Sequence, residues 1–539
     1  MLSEISIENF KAFGAKSHIP LAPITLIYGP NSSGKSSIIQ SILLLKQTIE
    51  SRNSGQILLP RLENGIVDLG SFQEMVFDHN LENTMSIRVA PKPYMSNKLF
   101  EKIGAFSLEF SFRRRTQKEE ISIARISIWS NSTRSYVAHY EVSPEKPNSS
   151  KIFSMRAGAV VNSNITHCAI CTYLTTEPRF WHDSFEYVRK NKKNILSHLE
   201  MMLKDIERKG PHFRKLFIFG RPDKANNSEK YWSDLINKFI DMIKTEFSIE
   251  EWAIFSAQIF KKSPIYLSGL LPSGGDPSFD VYDTLIQFDT EKRQSSILDI
   301  SNIIFPNPST IAISGAIDLS QRISEVFPLG PFRKAPARYY VFTGTSPTDV
   351  GYSGKAMPDL LLRNPKLLKR VNHWLDKLEV GYQLRVKKLG KDKDLFEMRL
   401  IDTIRGNKVD IGLTDVGYGI SQILPFVVQS FARNNHIIAI EQPEVHIHPR
   451  LQADIGDMIL ESSRLPIGNQ FIIETHSEHL ILRMLRLIRD GRLKPNMLSV
   501  LFVERTKEGS KVKPIRIAED GGLIDEWPGG FFPERLREI

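Results

Sequence analysis

Cysteine is nearly absent, with two residues in 539. A disulfide framework is therefore excluded as a source of stability, and a reducing, cytoplasmic compartment is expected. No uninterrupted apolar run approaches the ~18 residues needed to cross a bilayer. The opening MLSEISIENFKAFG lacks the basic-then-apolar order of a secretory leader. A soluble chain is expected, and work in a membrane transporter would need a separate membrane subunit. Internal repeats and low-complexity tracts are also missing. Excess charge is modest: a formal +10 spread over this length neither demands nor excludes a nucleic-acid partner.

What is present is ordinary globular material in a chain too long for one simple core. PITLIYG reads as a buried strand, and IIQSILLLKQTIE as the helix that follows it after a glycine-bounded loop. The last third alternates helix and buried strand through LPFVVQSFA, HIIAIE, LQADIGDMILESS, QFIIETHS, LILRMLRLI and LSVLFVER. Between these ends the text changes. FSLEFSF, EEISIARISIW and RSYVAHYEV predict an antiparallel sheet over about 105–142. Residues 183–209 and 229–262 read as helices, and LSGLLPSGGDPS (267–278) reads as a loop. Further on, MPDLLLR to LEVGY is helical and LRVKKLG to RLIDT is strand-like.

GPNSSGKS, Gly29–Ser36, matches the phosphate-binding pattern of two glycines spanning four residues and followed by Lys-Ser. Glycines let several backbone amides face one anion, and the helix starting near Lys35 adds its positive end. Lys35 is expected on the β- and γ-phosphates, and the Ser36 hydroxyl on Mg2+. A phosphate loop needs an acidic residue at a neighbouring strand tip, and HIIAIE supplies Glu441. His476, after the strand FIIE, is placed to contact a γ-phosphate. Gly417 and Gly419 form a second cup of backbone amides before a helix. Two cups suit a dimer in which one copy's cup closes over the nucleotide of the other.

Together these segments resemble the ABC-type ATPase heads of the SMC/RecF/OLD group. IENFKAFG with ITLIYGPNSSGKSS is similar to their opening, DVGYGISQ to their signature, EQPEVHIHP to their Walker B region and ETHS to their switch histidine. LGPFRKAPARYY, EQPEVHIHP and the tail DGGLIDEWPGGFFPERLREI more narrowly resemble PtuA-type ATPase subunits of Septu and retron-linked anti-phage systems. The resemblance implies an α/β, ABC-type P-loop NTPase head split by a large central α+β insertion. Residues 1–80 and 391–539 would form the head, and 81–390 a platform for a partner or DNA. It implies ATP and Mg2+ as ligands and head-to-tail dimerisation. Gly29, Asn31, Ser32, Ser33, Gly34, Lys35, Ser36 and Ser37 would hold the phosphates. Gly417 and Gly419 would form the signature, with Ser421, Thr414 or Tyr418 beside the γ-phosphate. Lys11 would lie near the nucleotide, and Gln73 would link Mg2+ to the arm. An HNH-type nuclease partner is implied, and for some members a reverse transcriptase with its DNA product.

One position departs from the group. Gln442 stands where these ATPases carry the glutamate that activates water. An amide cannot accept the proton, and losing a general base costs ~10²–10⁴ in rate. Slow hydrolysis is expected, with Glu444 as the alternative base. His167-Cys168-x-x-Cys171 with His182 is half of a zinc pattern without a second half, and His446 and His448 fit a loop better than a metal site. Arg113–Arg115, Arg189–Lys193 and VKKLGKDK fit solvated faces. Arg333, Lys334 and Arg338, interleaved with Phe332, Tyr339 and Tyr340, suit nucleic acid or packing near the nucleotide. No Asp-x-Asp constellation follows His476, so the chain is not expected to be a nuclease itself. The alternatives are a RecF-like DNA repair ATPase and the ATPase subunit of a membrane transporter.

Overall fold

The computed structural model describes residues 1–51, 57–63, 65–92, 106–114, 121–142, 167–176, 178–197, 199–200, 203–204, 228–260, 264–268, 270–275, 308–389, 394–405 and 409–530. The chain forms two compact units. The first comprises Met1–Gln47, Pro60–Ile87 and Gln321–Ile539, and the second Thr48–Leu59 and Arg88–Ser320.

The first unit is built on a six-stranded sheet. Its strands are β1 (Ile24–Tyr28), β2 (Val326–Leu329), β3 (Ile437–Glu441), β4 (Gln470–Glu474), β5 (Leu498–Thr506) and β6 (Gly509–Ile515). Their spatial order is β2-β3-β4-β1-β5-β6, parallel throughout except for the β5–β6 hairpin. β1, β3 and β4 are buried at every position, which is why they read as continuous apolar runs rather than alternating ones. α1 (Lys35–Glu50) follows β1, α2 (Tyr418–Ala432) precedes β3, α3 (Pro449–Ser463) follows β3, and α4 (Glu478–Arg489) follows β4.

Local chemistry sets where these helices begin. His448 caps α3 by accepting from the Arg450 amide, with Pro449 at the first helical position. Ser477 caps α4 by accepting from the Leu480 amide at 3.1 Å. The expected helix after Met357 is two helices, Met357–Arg363 and Pro365–Lys377, because Pro365 cannot continue the first and Asn364 caps the second through the Leu367 amide. Tyr382–Leu389 and Leu395–Asp402 form the strand pair expected there.

The second unit carries antiparallel strands Phe106–Arg114, Ile121–Ser130, Ser135–Val142, His167–Leu174, Pro264–Ser268 and Leu271–Gly275, each paired with the next. The sheet expected over 105–142 is present. Part of the loop expected over 267–278 is instead a hairpin: Leu271–Gly275 pairs with Pro264–Ser268 as the edge strand, where proline and glycine are tolerated because only one side of the backbone must pair, and 269 and 276–278 lie outside the described residues. Trp181 and Trp252 anchor helices Pro178–Lys190 and Ile249–Phe260, their ring N–H groups donating to the Thr175 carbonyl and the Ser184 hydroxyl. The remainder of the helix expected over 183–209, from 205 on, lies outside the described residues.

The central insertion ends earlier than the sequence reading placed it. The second unit stops at Ser320, whereas the reading extended the insertion to residue 390. Val326–Leu329 instead pairs in parallel with Ile437–Ile440 as the edge of the first unit's sheet.

Candidate nucleotide site

The loop between β1 and α1 is a tight turn that only glycine permits at two points. Gly29 has φ +146°, and a Cβ there would meet the Val503 carbonyl at 2.2 Å. Gly34 has φ +95° and would meet the Ala12 side chain. The Lys35 ammonium bonds the Gly29 and Pro30 carbonyls at 2.9 and 2.8 Å, which holds it over the loop. Ser510 fastens the loop from β6, its hydroxyl donating to the Ser33 carbonyl at 2.6 Å.

Three glutamates converge beside this loop. Glu441 and Glu474 end β3 and β4 and are partners in register. Glu441 accepts the Tyr352 hydroxyl on Oε1 at 2.9 Å. Glu474 lies beside the Ser36 hydroxyl, while its Oε2 is buried with no hydrogen-bond partner. Glu444 is engaged on both oxygens: Oε1 accepts the His476 amide at 2.6 Å and Oε2 the Thr475 hydroxyl at 2.8 Å. Gln442 turns the chain between Glu441 and Glu444 with φ +46°, its amide donating to the Glu474 carbonyl at 2.8 Å.

Burial raises all three carboxyls. Glu441 is pushed up to about 7 by burial and by Glu474, against the Tyr352 hydrogen bond and Lys11, which lower it. Burial lifts Glu474, with the Ser36 hydrogen bond and Lys35 opposing. Burial also lifts Glu444, opposed by its hydrogen bonds and by Arg333. The cations respond in kind: burial lowers Lys35 and Lys11, countered by nearby carboxylates. His476 reaches solvent, yet partial burial of its ring and the neighbouring Lys35 hold it below the usual imidazole range.

Arg333 is only 5% exposed. Its Nη2 lies 3.5 Å from the Glu441 carbonyl, and its Nε and Nη1 have no partner. Burial lowers it to about 10, with Glu444 opposing. The nucleic-acid reading of this segment is therefore corrected for Arg333, which is turned inward; Phe332, Lys334, Arg338 and Tyr339 are the exposed members. Tyr352 reaches Glu441 because its ring packs on Gly330, where a Cβ would meet Cζ at 2.5 Å.

The other expected residues are distributed unevenly. Lys11 lies within electrostatic reach of Glu441. Gln73 is exposed on the single turn Phe72–Met75, and among the described residues no hydrogen bond joins its side chain to Ser36 or Glu441. Gly417 is the N-cap of α2, with open space where a Cβ would stand. Gly419 packs on the His446 carbonyl, and Tyr418 meets the His446 ring edge-on at 5.4 Å. Ser421 is buried, its hydroxyl donating to the Tyr418 carbonyl at 2.7 Å, so Thr414 and Tyr418 are the more accessible side chains of that loop. Cys171 is buried and donates to the Tyr173 carbonyl, while the His167 and Cys168 side chains lie outside the described residues. Among the described residues no group of three His, Cys, Asp or Glu could hold a metal ion by itself.

The residues fit a magnesium nucleotide nonetheless. Mg2+ keeps several waters and takes one or two carboxylates plus substrate phosphates. A serine hydroxyl and two adjoining carboxylates, one of them with an unpartnered buried oxygen, supply that chemistry. A buried acceptor left unbonded costs about 1–3 kcal/mol, which a ligand would offset. Sequence reasoning missed Glu474 and Tyr352. Glu474 had a readable signal, because IIAIE and FIIE are both buried runs closed by glutamate. Tyr352 had none, being brought to Glu441 across 89 residues by the fold.

A parallel sheet with a glycine loop, Lys-Ser and carboxylate strand tips defines a P-loop nucleotide-binding protein. The chain belongs to the AAA ATPase domain family, whose model matches residues 1–263 and 355–481. A second model, for a family described as a protein of unknown function (DUF3696), matches residues 493–539. No curated protein matches the chain. Among solved structures, it is similar to the Smc head domain of Pyrococcus furiosus bound to the C-terminal domain of ScpA, at 12% identity and TM-score 0.37, covering 96% of each chain. It is also similar to the SMC head domain from Thermotoga maritima, at 10% identity and TM-score 0.34, covering 96% of this chain and 99% of that one. Similarity at that level carries no shared activity; the fold rests on the chain's own sheet order and loop. No helix among the described residues is long and apolar enough to cross a membrane.

Proposed function

We propose that the chain is an ATP-driven clamp. It binds ATP with Mg2+ at the phosphate loop, pairs head to tail with a second copy through the Gly417–Gly419 cup, and hydrolyses the nucleotide slowly. The observation that carries this reading is that Lys35, Ser36, Glu474 and His476 gather about one loop, with Glu441 in register beside Glu474 and an uncovered glycine N-cap at Gly417 elsewhere in the same unit. The loop amides and Lys35 bind and orient the phosphates. Ser36 and Glu441 would hold Mg2+, which when bound neutralises phosphate charge. Gln442 can hydrogen-bond a water but cannot take its proton. Glu444 ties the turn after β3 to Thr475 and His476, so both sides of the site move together.

Light scattering of the full chain with and without ATP and Mg2+ tests the clamp. The wild type is expected to double in mass with ATP, and Lys35→Ala is expected to remain single. Gly417→Arg should fold, because φ is −55° and the Cβ position is open, yet it should not pair. A wild-type mass indifferent to ATP would sink the reading.

The finer reading is that the clamp regulates a separate nuclease in an anti-phage complex. It is supported by the resemblance of LGPFRKAPARYY, EQPEVHIHP and the tail from Asp520 to PtuA-type subunits. The partners would be an HNH-type nuclease and, in some systems, a reverse transcriptase with its DNA product. Mass spectrometry of the native complex tests this: recovery of an HNH nuclease supports it, and recovery of repair proteins alone favours the RecF-like alternative.

A further inference from the structure

We propose that Trp527, in the C-terminal segment of the chain, is a positioning residue for the phosphate site, acting through Tyr28. The inference rests on the ATP reading above and adds a link from the C-terminal segment to the two stretches that flank the nucleotide.

The segment closes on itself before it reaches the site. Ile517 and Leu523 pair as an antiparallel bridge, the Ile524 amide donates to the Arg516 carbonyl at 2.9 Å, and the Arg516 guanidinium donates to Asp525 at 2.7 Å. Its turn is seated on α4: a Cβ on Gly521 would stand 2.4 Å from the Leu485 carbonyl. The chain then buries Trp527, whose ring meets those of Tyr28 and Phe502 edge to face, with centroids 5.3 and 5.6 Å away.

Tyr28 stands where the phosphate loop begins. It is the last residue of β1, it precedes Gly29, and it is 2% exposed. Beside it the Thr475 amide donates to the Ile27 carbonyl at 3.1 Å. Past that rung the two backbones part, one into the phosphate loop and the other through His476 into α4. The Tyr28 hydroxyl spans the gap, donating to the Ser477 carbonyl at 2.9 Å. Ser477 adjoins His476 and caps α4. That bond needs the Tyr28 ring in one orientation, and the edge-to-face contact with Trp527 fixes it. Trp527 thereby sets the spacing between the phosphate loop and the His476 segment without touching the nucleotide. A misplacement of about 1 Å from a remote change can cost ~10²-fold in rate.

The test compares wild type, Tyr28→Phe, Trp527→Leu, Trp527→Phe and the double variant Tyr28→Phe/Trp527→Leu, all as full chain. Equilibrium binding of a fluorescent ATP analogue with Mg2+ and single-turnover ATP hydrolysis are read for each. Tyr28→Phe and Trp527→Leu are each expected to slow hydrolysis about 10–100-fold while binding changes less than about threefold. The double variant is expected to be no slower than either single one, because both cut the same link. Trp527→Phe keeps an edge-to-face ring and is expected to recover most of the rate. A residue that only fills the core would lower the urea midpoint and leave the rate alone, and that result overturns the inference. Losses that multiply in the double variant also overturn it, because Trp527 would then act by another route. Tyr28→Phe removes a single oxygen, so an unchanged rate there overturns the inference even where Trp527→Leu fails to fold. A wild type that binds no nucleotide overturns the ATP reading, and this inference with it.

Discussion

Glu444 holds the backbone of His476: its Oε1 accepts the His476 amide at 2.6 Å, while Oε2 takes the hydroxyl of the preceding Thr475. The turn after one strand tip is thereby fixed to the segment that follows the next strand. The charge of the same carboxylate opposes the burial that lowers Arg333.

Removing that tether should be costly. Glu444→Ala leaves the His476 amide and Thr475 hydroxyl without an acceptor. A loss of about 1–3 kcal/mol is expected in urea unfolding, the cost of leaving a desolvated donor unmatched. Glu444→Gln keeps an acceptor oxygen and should lose less. Equal stability of Glu444→Ala and wild type would contradict the tether.

Acidity of the site gives a second prediction. Burial lifts Glu441 in the fold to about 7 from its ordinary 4.5, so folding disfavours its charged form. The nucleotide-free protein is then penalised progressively as pH rises from about 4.5 to 7, by up to about 3 kcal/mol above that. Glu441→Gln should therefore stabilise the metal-free, nucleotide-free chain at pH 8 and change it little at pH 5. Urea midpoints at the two pH values measure this; a variant less stable than wild type at pH 8 would contradict it.

Gly330 offers a third, away from the phosphates. An alanine Cβ would stand 2.5 Å from Tyr352 Cζ. The ring must move, and with it the hydroxyl that holds Glu441. Gly330→Ala is expected to cost about 1–3 kcal/mol, as overpacking does. It should also weaken Mg2+-dependent nucleotide binding, read by titration of a fluorescent ATP analogue. Normal affinity in this variant would mean that Tyr352 does not position Glu441.

The phosphate loop, the buried strands and the acidic tip at Glu441 were legible because each is written locally. Glycine spacing specifies a turn, and an unbroken apolar run specifies a strand covered on both faces. The hairpin at Leu271–Gly275 was not legible, since its proline and glycines read as a loop unless the edge position is known. Gln442 was visible as a missing base, but the direction of Glu444 was not. Two residues along a turn can point anywhere until the partner strand is in place.

By itself, then, the amino-acid order determined a phosphate-binding loop, an α/β rhythm at both ends and an incomplete acid–base pair after β3. Tertiary structure alone decided which carboxylate stays unbonded. That choice depends on β3 and β4 lying side by side in register, and on Tyr352 and Arg333 arriving from a distant segment. Strand pairing and burial set those contacts, and neither is encoded in any short stretch of the chain.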